Sequence, residues 1–541
     1  MTESSDVVIM GGGLAGLTCA LQLRARCPDL SIRVLERRGT PAPVAVHKVG
    51  ESTVEIGAHY YADVLGLAEH LKGEHLRKFG FRFFSSDGLE AIDAVQEIGV
   101  SRYLTVPSYQ IDRGIFENFL VGRARDAGID VQAPATVTGI DLADERDPDA
   151  LHRVRYDLAG VPGSCSARWI VDASGRAGLL KRKLDLHEPN GHDVNAVWFR
   201  VPQRIDVEAW SDSQRWLGRC EKGQRWRSTN HLVGDGYWVW LIPLSSGFHS
   251  IGIVADAARH PLAQMSSYDK ALAWLAVHQP QLAAQLRDDG TAPADFAYLR
   301  RFSYGCRDVF SSARWAITGE AGYFLDPFYS PGSDFIAISN TYIVDMIARD
   351  HRREAHAPYA RLYNQLVRSF YDNTLTLYQD QYGIFGHPQV LAAKVIWDYA
   401  YYWGSLCQLF FQRRLTDLVA LGRNRADLLA INALNGAMQH FLRLWARAAP
   451  KDNQPRLLDQ AGLPWFSELN RGLLDTLDDD AFAARIHASR VQLETVAAEI
   501  VGQAARGCAG CADWPQAQRV LALARREPAP ADELLRYPMT A

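Results

Sequence analysis

A chain of 541 residues, 48% hydrophobic and 22% charged, carries enough apolar material for two or three packed units. Its formal net charge of −4 gives no clustered basic footprint, which argues against nucleic acid as a partner. The 14 Trp, 21 Tyr and 21 Phe supply aromatic surface for pockets as well as cores.

The opening "MTESSDVVIMGGG" has no basic segment leading into an apolar one, and no apolar run approaches the ~18 residues of a membrane span. A cytoplasmic protein without a transmembrane segment is expected. Eight Cys lie scattered, mostly in apolar segments, which suits reduced thiols. Cys508 and Cys511 form one isolated CxxC. A zinc site needs a second pair, so ordinary thiols and no metal are expected.

The first element is "DVVIMGGGLAGLTCALQLRARCPDLSIRVLERR", read as strand, Gly-rich turn, helix and strand. Gly11, Gly13 and Gly16 fit GxGxxG: a tight turn, close approach of a pyrophosphate, and close helix–strand packing. Glu36 ends the second strand, where a carboxylate would accept from a ribose diol. The motif alone leaves FAD and NAD open. Its N-terminal position, with further cofactor-like pieces downstream, favours FAD.

Next comes "HKVGESTVEIGAHYY" (47–61), in which Gly50 permits close approach and Ser52 and Thr53 can bond locally. His47 and Lys48 read as a solvated turn. In "HLRKFGFRFF", Lys78 precedes a strand expected to place Phe79, Phe81 and Phe83 on one face. By residue type alone such a lysine is a surface charge. Further on lie "YQIDRGIFENFL" (109–120) and "WIVDASG" (169–175), the latter a buried strand ending in a turn. "GYWVWLIPL" alternates, so Trp238, Trp240 and Ile242 share one face and Tyr237, Val239 and Leu241 the other, with Pro243 closing the strand. "WAITGEAGYFLDP" is a strand and a Gly-rich turn, followed by a helix-like segment. From about 345 the pattern is helical, with Tyr359, Leu362, Tyr363, Leu366, Val367, Phe370 and Tyr371 at helical spacing. "VIWDYAYYWGSLCQLFF" reads as core packing or as a lid over a flat aromatic substrate. Segment 471–541 reads as solvated helices and a ragged tail.

Taken together, GxGxxG, "KVGEST", Lys78 before "FRFF", "YQIDR", "DASG", "WVWLIP" and "GYFLDPFYSPG" resemble the flavin-dependent halogenases of the tryptophan-halogenase-like group. The resemblance covers about the first 350 residues. It implies an α/β fold: a Rossmann-like FAD-binding domain of the two-domain flavin monooxygenase type, an interleaved mixed β-sheet substrate domain, and a C-terminal helical region. The expected boundaries are 1–345 for the FAD domain (about 1–45, 105–178 and 300–345) interleaved with the sheet domain (about 46–104 and 179–299), then helices over 346–541.

The resemblance further implies that FAD, used as FADH2, is bound by Gly11, Gly13, Leu14, Ala15, Gly16, Glu36, Arg37, Gly50, Glu51, Ser52, Arg113, Asp172, Gly319, Glu320, Asp326 and Pro327. The loop Ser330, Pro331, Gly332 and Ser333 would hold bromide or chloride next to the flavin. Trp238 and Trp240 would wall flavin from organic substrate. A flavin C4a-hydroperoxide would yield hypohalous acid, which passes through a dry channel to Lys78 and halogenates an electron-rich aromatic. A separate NAD(P)H-dependent flavin reductase would supply the reduced cofactor, since no second nucleotide fingerprint is visible. Two positions depart from the group. Pro331 takes the place of a backbone donor, which suggests a preference for bromide. Tyr329 stands where tryptophan-specific members carry a glutamate, which points to a phenolic or pyrrolic ring, free or carrier-tethered. A halide-independent aromatic monooxygenase or oxidase of the same fold is the alternative.

Overall fold

The computed structural model describes residues 3–526 except 87, 289, 291 and 452. The expected ragged tail beyond 526 lies outside the described residues. The chain folds into two compact units. Among the described residues, the first takes in 3–75, 111–191 and 303–371; the second takes in 76–110, 192–302 and 372–526.

The first unit is built on a seven-stranded sheet. Its first strand, β1 (Glu3–Met10), is central, fully apolar over Val7 to Met10, and lies parallel to Ile32–Leu35 on one side and to Val161–Asp172 on the other. Trp315–Ile317 adds in parallel to Val161–Asp172, and Ala135–Asp141 and His152–Leu158 extend the sheet as an antiparallel meander. Register decides what this sheet can do. Met10 is level with Leu35 and with Asp172, and Asp172 is level with Ile317. Four parallel strands therefore end together, and the residues that follow them, Gly11, Glu36, Ala173 and Thr318, gather along one edge. The crevice at the carboxyl ends of parallel strands is where such sheets take ligands. Helix α1 (Leu14–Arg26) starts at this edge, α2 (Arg113–Asp126) begins with Asp112 accepting from Gly114 N, and α3 (Gly332–His351) brings Asn340 to it. The Asn340 amide donates to Ala15 O at 3.2 Å and Thr18 Oγ1 at 3.1 Å, and it accepts from Thr318 Oγ1 at 2.8 Å.

The second unit carries an eight-stranded mixed sheet. Its centre runs β2 (Phe81–Ser85), β3 (Thr229–Gly234), β4 (Tyr237–Pro243) and β5 (His249–Asp256) in spatial order. Alternation splits it into two unlike faces. Phe84, Leu232, Tyr237, Val239, Leu241, Ile251 and Ile253 point into one apolar core with Trp274, Leu275 and Leu282. Phe81, Phe83, His231, Trp238 and Trp240 point the other way. Residues 457–459, from the part of the chain expected to be helical, add an edge strand instead. The aromatic-rich run 395–411 is continuous helix, α4 (Pro388–Tyr402) passing through a π-helical turn at Trp403–Cys407. Trp397, Trp403 and Phe410 are buried in it, so most of the run is core. No described helix is long and apolar enough to cross a membrane, and no described cluster of three or more His, Cys, Asp or Glu side chains could hold a metal ion.

Two expectations fail in the fold. Phe79 does not share a face with Phe81 and Phe83: Gly80 has φ +68°, which ends the alternation, and Phe79 packs with Val100 and Leu457. Cys508 and Cys511 are not free thiols. The turn at Gly510, φ +75°, brings their Cα atoms to 5.6 Å and they are joined by a disulfide.

Candidate functional site

The edge of the first unit is shaped for a dinucleotide. A Cβ on Gly11, whose φ is +119°, would lie 2.2 Å from Ala173 O, and one on Gly16 would lie 1.9 Å from Gly11 O. Both positions therefore exclude a side chain. Helix α1 starts at Gly13 without a side-chain cap and without an acidic residue in its first turn, so its N–H groups and positive dipole end await an anion from elsewhere. Glu36 accepts from Gly12 N at 2.7 Å and Arg38 N at 2.8 Å, which leaves lone pairs on both oxygens for a diol. Leu14 is buried beneath the turn, Ala15 faces Gly319 (φ +64°), and Arg37 is exposed beside Glu36. These residues fit the phosphate and ribose parts of FAD.

Above this edge the segment 47–53 is tied down instead of solvated. Glu117 on α2 accepts from His47 Nε2 and from Lys48 Nζ, both at 2.9 Å, and pairs with Arg113. Arg113 also donates to Val49 O at 3.0 Å and Gly50 O at 3.4 Å. Ile111 N donates to Glu51 O, and Glu51 and Ser52 are buried. Burial alone would raise the Glu117 carboxyl, but Arg113, His47 and Lys48 hold it well below the usual carboxylate range. The solvated-turn expectation for His47 and Lys48 fails because Glu117, four residues after Arg113, supplies a buried anion. Period alone places Glu117 beside Arg113 on α2, so the signal was there.

Several of the expected cofactor residues have side chains engaged within the protein. Asp172 turns inward, accepting from Ser174 N at 3.0 Å, Ser174 Oγ at 2.6 Å and Leu180 N at 2.7 Å; it shapes the turn after its strand. Burial pushes its carboxyl up. Glu320 is half-buried on the 319–321 turn, where its carbonyl accepts from Tyr304. Asp326 caps the turn Pro327–Tyr329 by accepting from Phe328 N at 2.9 Å. Tyr329 is half-buried against Phe328. Ser330 adopts φ +53°, and Pro331, at φ −75°, is the residue from which α3 starts. Proline fits there because a helix start has no intrahelical use for its N–H, and its carbonyl accepts from Phe335 N at 3.0 Å. Gly332 and Ser333 follow as first-turn residues whose N–H groups have no acceptor within the helix. Gly332 is exposed, with open space where a Cβ would stand.

The second unit holds Lys78 in an aromatic setting. Its side chain is buried, 4% exposed, with Nζ 3.3 Å from the centroid of the Phe81 ring. Its backbone N–H is anchored to Ser108 O at 2.8 Å. Phe81 and Phe83 lie against His231, at 5.4 and 4.7 Å between centroids, and His231 lies 5.3 Å from Trp238. Tyr399 of α4, half-buried, stands 6.1 Å from Phe81. Trp238 donates through Nε1 to the Tyr382 hydroxyl at 3.0 Å, and Trp240 to Ser250 Oγ at 3.1 Å. Both indole N–H groups are engaged and both rings are buried, so the two tryptophans present ring surface and no free donor. A Cβ on Gly252 would meet the Trp240 ring at 2.2 Å, so the ring lies flat on that glycine. His231 was missed in the sequence, although the alternation Thr229, His231, Val233 marks it as facing the same way as Phe83. Tyr399 lies in the aromatic run read as core or lid, and the fold brings it to Phe81.

The family model for tryptophan halogenases matches residues 97–384, and one for NAD(P)-binding Rossmann-like domains matches residues 9–73. The flavin-dependent halogenase chlA of Dictyostelium discoideum is 25% identical over 459 residues, covering 76% of this chain and 73% of that protein. A 1H-pyrrole-2-carbonyl-[peptidyl-carrier protein] chlorinase of Pseudomonas fluorescens is 24% identical over 404 residues, 69% of this chain and 83% of its own length. Among solved structures, the halogenase PltM in complex with phloroglucinol and FAD superposes with a TM-score of 0.66 at 18% identity, covering 91% of this chain and 96% of that one. At that identity the likeness speaks to the fold alone.

Proposed function

This chain belongs to the tryptophan halogenase family, and from that membership we propose that it is an FADH2-dependent halogenase that uses Lys78 to place halogen on an electron-rich aromatic ring. The observation that carries the reading is the Lys78 ammonium, 4% exposed and held over the Phe81 ring in the aromatic face of the second unit. Bound reduced FAD, with oxygen, supplies the oxidant that converts halide to hypohalous acid. The first unit holds that cofactor through the Gly11–Gly16 turn, the uncapped start of α1, Glu36 and the segment 50–52.

The chain's own residues do the rest. The Gly332 and Ser333 N–H groups bind the halide at the start of α3. Because Pro331 adds no donor there, the site suits the larger and less tightly hydrated bromide. Trp238 and Trp240 close one side of the aromatic face to water. Lys78 donates a hydrogen bond to hypohalous acid and aims its halogen at the ring; the ring's C–H becomes C–halogen and water leaves. Activated rings need no base for this step, so phenols and pyrroles, free or tethered to a carrier protein, are the substrate class. A separate NAD(P)H-dependent flavin reductase delivers FADH2.

Purified protein with FAD, a flavin reductase, NADH, oxygen, bromide or chloride, and a panel of phenols, pyrroles and indoles tests this. Mass spectra should carry halogen isotope patterns, with bromide outcompeting chloride at equal concentration. Hydroxylated product without halide dependence would replace the reading by a monooxygenase. Lys78→Ala should lose halogenation while still binding FAD; full activity in that protein would sink the role given to Lys78.

A further inference from the structure

Gln110, the second residue of "YQIDR", is fully buried, and its Oε1 has no hydrogen-bond partner among the described residues. Two independent links place this amide beside Lys78. The strand Tyr109–Gln110 pairs antiparallel with Leu76–Arg77, Leu76 opposite Gln110 and Arg77 opposite Tyr109. The Lys78 N–H to Ser108 O bond continues that register by one residue. Side chains alternate, so Lys78 and Gln110 share a face as diagonal neighbours, roughly 7–8 Å apart. The second link runs through Thr229. Gln110 Nε2 donates to Thr229 Oγ1 at 2.9 Å, and Thr229 is in register with Phe81, the ring under the Lys78 ammonium.

Resting on the Lys78 reading above, we propose that Gln110 Oε1 accepts the hydrogen bond of the substrate ring's own donor, a phenolic O–H or pyrrolic N–H, and so selects which ring carbon faces Lys78. The chemistry of the two side chains divides the work. An ammonium has three donors and no acceptor, so Lys78 cannot read a donor on the ring. The Gln110 amide spends one Nε2 donor on Thr229, and its Oε1 is a free acceptor. A buried acceptor without a partner is unusual in a folded protein and is relieved when a ligand brings the donor. Accepting from the ring heteroatom also pushes electron density into the ring, toward the carbons next to and opposite it. An O-methyl or N-methyl ring loses the bond and adds a methyl where the acceptor stands, so the site discriminates against it.

The test compares a phenol with its methyl ether on the FAD-loaded protein. Calorimetric binding without reductant should favour the phenol by about tenfold or more in the wild type. Gln110→Leu, similar in size and without an acceptor, should bind the two rings equally. In turnover the same variant should lose about tenfold in kcat/KM on the phenol and spread halogen over more ring positions, while Gln110→Glu, which keeps an acceptor, should retain the wild-type isomer ratio. Equal binding of phenol and ether by the wild type would overturn the proposal without recourse to any variant. So would an unchanged isomer ratio in Gln110→Leu. Halogenation that persists alongside either result would overturn this inference alone. Phenol preference without halogen incorporation would instead overturn the halogenase reading and leave Gln110 as an acceptor for ring donors.

Discussion

Replacing Glu117 by Gln removes one charge from the point where two cations and the His47 imidazole meet. Its side chain is 4% exposed, and His47 Nε2, Lys48 Nζ and Arg113 Nη2 all share its two oxygens. Taking one partner from a buried ion pair costs about 3–5 kcal/mol. Lys48 is nearly a third exposed and contributes at most about 0.5 kcal/mol of that. The amide oxygen that remains still accepts one bond, offsetting about 1 kcal/mol. A net loss of about 3 kcal/mol results, felt mostly by Arg113, whose guanidinium holds the Val49 and Gly50 carbonyls. If that loss falls wholly on the order of the segment 47–53, FAD affinity drops by about two powers of ten. Fluorescence titration of FAD into Glu117→Gln and wild type measures it. The sign of the pH dependence is a second check. The Glu117 carboxyl is held below its ordinary value of 4.5, so its stabilisation is complete above that pH and is lost as pH falls toward the folded-state value. The gap between wild type and variant should therefore be constant above pH 4.5 and narrow below it. FAD affinity within twofold of wild type, with an unchanged denaturant midpoint, would refute the reasoning.

Three histidines make the protein sensitive to mild acid. Burial lowers His75 and His249 to about 3 and, with Arg314 nearby, lowers His152 to about 4. All three fold neutral, so their contribution is complete above the ordinary value of 6.5 and falls below it by about 1.4 kcal/mol per pH unit for each; denaturation at graded pH should show His249→Asn with a shallower slope. Gly252→Ala should cost about 1–3 kcal/mol by denaturant unfolding and alter tryptophan emission, because its methyl meets the Trp240 ring. Thiol titration of the unfolded, unreduced protein should count the six free cysteines, rising to eight after reduction.

The sequence was most legible where one residue type alone meets a steric need. Gly11 and Gly16 are fixed by backbone that sits within 2.2 Å of any Cβ, and spacing reveals that need directly. Alternation read the two faces of β4 correctly, since nothing in Tyr237–Pro243 interrupts it. It failed at Phe79 because a left-handed Gly80 resets the phase, and a glycine's φ is not written in its neighbours. Asp172 was ambiguous for a different reason. A carboxylate after a buried strand can serve a ligand or its own turn, and only the positions of the Ser174 and Leu180 N–H groups decide between them. Pro331 raised the opposite difficulty, since its missing donor is an anomaly in a loop and an ordinary helix start once α3 is seen. The Cys508–Cys511 bond depended on a turn that the spacing permits without requiring.

Strand β2 keeps its two sides in separate hands. Arg82, pointing away from Phe81 and Phe83, is fully buried; it pairs with Glu97 and donates to Val100 O at 2.6 Å, while Arg225 Nε holds the same Glu97 at 2.9 Å. Phe84 sits in the apolar core on that same side. Position and register are thus secured from behind by ionic and apolar contacts on the side away from Phe81 and Phe83. The front of the strand is left open to change. Exchanges at Phe83 or His231 can reshape the aromatic face while the reverse side holds the strand in step; if that face receives the ring as proposed, new ring preferences can be selected without first refolding the sheet.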